Sequence, residues 1–122
     1  MKPSLLLFLT TVSLCSFNSF SQSEKSTTVK YAYIDVIKTY ERVAEKGYKS
    51  AEMFQKIGDS YYSNSQLEKA ANWYCELFAM NTDLEPECYY RYAKCLISID
   101  QNDMAADILE KCNKKTKNIN KD

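Results

Sequence analysis

The side chains with chemical potential are four cysteines, Cys75, Cys88, Cys95 and Cys112, and a carboxylate group, Asp83, Glu85 and Glu87. No histidine occurs in the 122 residues. Its absence removes imidazole acid–base work, Cys-His nucleophiles and most zinc sites. No C-x-x-C spacing occurs either, so a thiol-redox protein built on the four cysteines is the weakest of the readings weighed below. Cys88 and Cys95 share a helix face but stand about 10 Å apart along it, too far to bridge. If the last two helices run antiparallel, Cys88 comes near Cys112. A disulfide there would close a loop of roughly 23 residues and contribute about 3 kcal/mol. The alternative reading has all four cysteines as small buried hydrophobes. The three carboxylates flank Pro86 at a helix start, where negative charge favours the positive end of the helix dipole, and this accounts for them without paired acid–base chemistry. No catalytic residue, metal or cofactor is expected.

Positioning falls to a small domain. Met1 to Ser21 reads as a signal peptide, with Lys2 at its head, an apolar stretch from Leu5 to Leu14, and Ser19 and Ser21 flanking Phe20. That stretch is shorter than the ~20 residues a bilayer requires. Loss of the signal leaves about 100 residues of mature chain, of which 22–30 read as a disordered polar leader. Sixteen basic and sixteen acidic side chains cancel, which disfavours a nucleic-acid reader. Two glycines and two prolines are too few for turn-rich β architecture or phosphate-cradling loops.

Helical periodicity runs through the rest. Tyr33, Val36, Ile37 and Tyr40 define a first helix stopped at Gly47. Ser50 reads as the cap of a second, carrying Phe54, Ile57, Gly58 and Tyr61. Ser65 and Glu68 form a capping box for a third, with Leu67, Ala70, Ala71, Tyr74, Leu77 and Phe78 on its stripe. Pro86 suits the first turn of a fourth, with Tyr89, Tyr92, Ala93 and Leu96, and Asp100 caps a fifth, with Ala105, Ile108, Leu109 and Cys112.

Gly58 recurs as Ala93 and Ala70 as Ala105, both 35 residues on, while Val36 precedes Ala70 by 34. A period of 34 built from paired helices is the tetratricopeptide signature. The pattern W-x2-L-G-x2-Y then A-x3-F is answered by Phe54, Ile57, Gly58, Tyr61, Ala70 and Tyr74. The expected fold is therefore all-α, an alpha-alpha superhelix of about two and a half tetratricopeptide (TPR) repeats over 31–114. Its parts are a half repeat at 31–47, a repeat at 51–84 and a repeat at 86–119 that includes the start of a polar tail at 115–122.

Tyr31 to Tyr62, YAYIDVIKTYERVAEKGYKSAEMFQKIGDSYY, and Pro86 to Leu96, PECYYRYAKCL, resemble the N-terminal TPR region of multidomain OmpA-family envelope proteins of Gram-negative bacteria. The resemblance implies a periplasmic, outer-membrane-associated role, in some members linked to secretion. The chain stops where that family's β-propeller would begin, so its peptidoglycan binding is not carried over.

Stacked hairpins present a concave face. Repeat geometry places Gln55, Asp59, Tyr62 and Ser63 on it from the second helix, and Tyr90, Arg91, Lys94 and Ile97 from the fourth. That mixture suits an extended peptide or a partner helix. Gln55 and Asp59 depart from the Lys and Asn of the TPR clamp for a C-terminal carboxylate. The expected function is non-catalytic binding of a peptide or envelope protein in the periplasm. The alternative is a structural part of an OmpA-like outer-membrane or secretion-associated assembly. With no polar capping helix after the fifth, its apolar flank is expected to seek a partner or a second copy of the chain.

Overall fold

A computed structural model describes residues 21–80 and 83–121, with side chains from Thr27 onward. The expected signal peptide, but for Ser21, lies outside the described residues. Five helices follow in order: α1 (Ser21–Glu45), α2 (Ala51–Ser63), α3 (Leu67–Ala79), α4 (Pro86–Ser98) and α5 (Asn102–Ile119). There is no strand among the described residues. Packing divides the chain at Val36 and Ile37, within α1, into Met1–Val36 and Ile37–Asp122. In the second unit α2 packs on α3, α3 on α4 and α4 on α5. The two hairpins keep one step, α2 and α4 starting at 51 and 86 and α3 and α5 at 67 and 102, 35 apart in each case. This packing is consistent with an α-helical repeat.

Helix α1 starts earlier than the sequence reading has it. Residues 22–30 are helical, not a disordered leader: no glycine or proline interrupts Ser21–Glu45, and the Ser, Thr and Lys residues there lower helix propensity only slightly. The tail is helical as far as Ile119. It is held there because the Lys115 ammonium donates to the Asp83 carboxylate and the Leu84 carbonyl, which ties α5 to the loop before α4. The Glu110–Lys114 pair at 2.7 Å and Lys117 in the last turn add weaker support.

Ser50 caps α2 as expected, its Oγ accepting from the Met53 N–H at 3.4 Å. The capping box at Ser65 and the cap at Asp100 do not form. Both residues instead have positive φ, 59° and 61°, and the N-caps are Gln66 and Gln101 without side-chain bonds. The reason is the preceding helix. Ser65 N–H donates to Tyr62 O and Gln66 N–H to Tyr61 O; Asp100 and Gln101 N–H donate to Ile97 O and Leu96 O. This is the Schellman pattern, which requires a left-handed residue at C′ and so consumes the serine and aspartate as stops. Ser65→Gly is therefore expected to stabilise the chain by about 0.5–1 kcal/mol, because glycine adopts positive φ without the Cβ penalty. A raised urea midpoint at unchanged slope would show it, and a lowered midpoint would refute it.

The core joins Ile37 of α1 to Phe54, Ile57, Ala70, Ala71, Tyr74, Leu77, Tyr92, Ala93, Leu96, Ala105 and Ile108. Gly58 lies against the Tyr74 ring, and a Cβ there would come 2.8 Å from its Cε1. Phe78 packs edge-on to Tyr89, with ring centroids 5.0 Å apart, which fills the α3–α4 seam. The apolar flank expected on α5 is absent. Its exposed positions carry Asp103, Asp107, Glu110, Lys111, Asn113 and Lys114, with Met104 and Ile119 its only large exposed hydrophobics. A polar outer face closes that end of the repeat.

Candidate binding face between the second and fourth helices

Helical spacing puts Gln55, Asp59 and Tyr62 on one face of α2, and in the fold that face meets α4. Arg91 reaches across from α4. Its guanidinium pairs with Asp59 at 3.0 Å and with Glu87 at 2.5 Å, and it lies over the Tyr62 ring, 5.4 Å from the centroid. The Tyr74 hydroxyl, coming up from α3, donates to Asp59 at 2.5 Å. One carboxylate thus serves a phenol and a guanidinium from two different helices. Burial works against the Arg91 charge, but its bonds to Glu87 and Asp59 overcome this and raise its pKa. Burial first, then the bond to Asp59, raises the Tyr74 phenol. Both groups are locked in single protonation states, which makes the network a fixed scaffold and no proton shuttle.

The network floors a cleft of 150 Å³ lined by Gln55, Asp59, Glu85, Glu87, Cys88 and Arg91. That volume accepts a side chain and falls below the ~300 Å³ where small-molecule sites begin. Of the eight residues expected on the face, the structure brings together Gln55, Asp59, Tyr62 and Arg91. Ser63, Tyr90, Lys94 and Ile97 are exposed on the same two helices and do not line the cleft. The sequence reading placed neither Glu87 nor Glu85 here. Glu87 had a signal, its i,i+4 spacing to Arg91, whereas Glu85 enters only because the loop before α4 folds toward α2.

All four described cysteines are free thiols. The Cys88–Cys112 bridge that the sequence allows is not formed. Cys88 turns into the cleft beside Asp59, and the Cys112 thiol donates to the Pro86 carbonyl at 3.6 Å. Burial pushes the Cys88 thiol up to about 12 and Cys95 to about 11, which makes both poor nucleophiles at neutral pH. No group of three His, Cys, Asp or Glu side chains is placed to hold a metal ion among the described residues.

A second, more apolar cleft of 390 Å³ lies where the end of α1 meets α2 and α3. Ala44, Phe54 and Trp73 line it with Glu45, Lys49, Asn72 and Glu76, and the Phe54 and Trp73 rings stand 5.8 Å apart. Sequence reasoning passed over Trp73 because it lies outside the repeat's matched positions.

Comparison of the chain with protein families, characterised proteins and solved structures finds no match. Among the described residues no helix is long and apolar enough to cross a membrane.

Proposed function

We propose that the chain is an exported, TPR-type module of the cell envelope that binds a peptide or envelope protein on its α2–α4 face and carries out no catalysis. The observation behind this is the exposed pair Tyr90 and Ile97, two turns apart on α4. On the same helix Arg91, next in sequence to Tyr90, is already immobilised by Asp59, Glu87 and Tyr62. A large aromatic and an aliphatic side chain left in water beside preorganised polar groups is the composition of a binding surface, with little ordering entropy still to lose on contact. The side-chain-sized cleft suits one residue of an extended partner, and the row along α4 suits its neighbours. Periplasmic placement rests on the signal-like N-terminus and on the resemblance to OmpA-family envelope proteins. A structural role in an OmpA-like outer-membrane or secretion-associated assembly is the second reading, favoured by the exposed apolar residues Val29, Tyr33 and Val36 of α1.

A photoreactive residue at Tyr90 is expected to capture a discrete partner in envelope extracts, while the same residue at Lys111 on α5 captures none. Ile97→Asp should remove most of the Tyr90 adduct. It should leave the thermal midpoint within the small range typical of surface changes, since Ile97 is exposed. Equal adducts at the two positions would count against the groove.

A further inference from the structure

The two hairpins can be compared at one place, the junction where each meets the helix before it. At the second junction Phe78 of α3 packs edge-on to Tyr89 of α4, and Leu84, two residues before α4 begins, is buried in the core. Phe54 corresponds to Tyr89 and Lys49 to Leu84 at a step of 35, and Ala44 corresponds to Phe78 at the step of 34 that relates α1 to α3. The first junction thus carries an alanine and an exposed lysine where the second carries two large apolar side chains. The 390 Å³ cleft beside Phe54 and Trp73 is the space this difference leaves. Its volume lies in the range of small-ligand sites, and it shares no lining residue with the α2–α4 cleft.

The lining differs in charge as well. Glu45 and Glu76 stand where the second hairpin has Ala79 and Lys111. Both carboxylates are exposed, and neither makes an ion pair among the described residues. Between them the cleft offers a partly exposed indole, with the buried Phe54 ring 5.8 Å from it. We propose that this cleft takes the arginine side chain of a partner polypeptide. A guanidinium lays its plane on an indole face while its N–H groups donate to carboxylates, and it gives up water more readily than an ammonium does. Asn72 and Lys49 supply N–H donors for the main-chain carbonyls on either side of that arginine. Two carboxylates against one lysine repel an anionic side chain, and an apolar one would cover them without pairing them.

Trp73 is the one tryptophan of the chain, so its emission and its indole N–H resonance report on this cleft. Titrating the full chain with a blocked glycine–arginine–glycine peptide should move both signals saturably, in the about millimolar range of a single side-chain contact. The same peptide with citrulline, which keeps the shape and loses the charge, should bind at least about tenfold more weakly, and the lysine peptide should also bind more weakly than arginine. Glu76→Lys, which copies the charge of the second hairpin, should lower the affinity for the arginine peptide by at least about tenfold, and Glu45→Gln should lower it less. Both positions are exposed, so both variants fold. Indole signals unmoved by the arginine peptide up to its solubility limit overturn the proposal. Equal binding of the citrulline peptide, or an affinity indifferent to Glu76→Lys, overturns it too, and a lysine peptide as tight as arginine overturns the choice of a guanidinium.

Discussion

Gly58→Leu is expected to abolish folding, and Gly58→Ala to lower stability even though alanine is the better helix former. At an exposed helix position the alanine change would gain about 1 kcal/mol. Here the new methyl would sit 2.8 Å from Tyr74 Cε1, 3.0 Å from Cδ1 and 3.3 Å from Cζ. The ring has nowhere to go. It is fully buried, its hydroxyl is held by Asp59 at 2.5 Å, and the Tyr92 ring packs tilted against it with centroids 6.1 Å apart. Moving it displaces the carboxylate that anchors Arg91, so the damage reaches the binding face. Overpacking of this kind costs about 1–3 kcal/mol, which outweighs the propensity gain and leaves Gly58→Ala net destabilised by about 1 kcal/mol. Leucine adds three more carbons at the same contact, in a domain whose whole margin is roughly 5–10 kcal/mol. Urea melts followed by circular dichroism check both. Pairing Gly58→Ala with Tyr74→Leu should recover the alanine gain, because the clash disappears with the ring. If Gly58→Ala alone raises the midpoint, the close approach of α2 and α3 at this residue is wrong.

That contact was legible in the sequence, since small residues at Gly58, Ala70, Ala93 and Ala105 recur at a fixed step among aromatics, and only helices in close contact need such a pattern. The helix ends were less legible. Ser65 and Asp100 are good N-cap types, and sequence alone does not say whether such a residue opens one helix or closes the previous one. The Schellman bonds from Ser65, Gln66, Asp100 and Gln101 decide it, and they depend on where α2 and α4 end. The N-terminal extent of α1 is not legible, because the polar composition of residues 22–30 also fits disorder. Nothing in the local sequence of 113–119 announces that Lys115 will find the Leu84 carbonyl some thirty residues earlier. On the binding face, Asp59 and Arg91 could be placed from repeat register. That a third helix would add the Tyr74 hydroxyl to Asp59 required the packing itself.

Alkaline pH is expected to unfold the chain over a window set by its buried thiols. An unfolded cysteine ionises near 9, whereas burial holds Cys95 protonated to about 11 and Cys88 to about 12. Below pH 9 both groups are protonated in both states, so the native advantage is fully present. As pH rises from 9 the unfolded chain gains thiolate that the folded chain refuses, and stability falls until the folded thiols ionise as well. Two and three pH units of such difference correspond to roughly 3 and 4 kcal/mol at most. Together these are of the same order as the total stability of a domain this size. Buried Tyr74 and Tyr92, also raised, act in the same direction once the pH passes 10. Tyr61, raised to about 12 chiefly by its bond to Glu41, adds to them. The urea midpoint should therefore be flat from pH 7 to 9 and then drop steeply, with the chain unfolded in buffer alone by about pH 11. Cys88→Ala with Cys95→Ala should start lower, because each substitution removes a packed sulfur, yet stay level to about pH 10, where the tyrosines begin to titrate. If the parent and the double variant decline in parallel from pH 9, the thiols are hydrated and the core around α4 is looser than this packing.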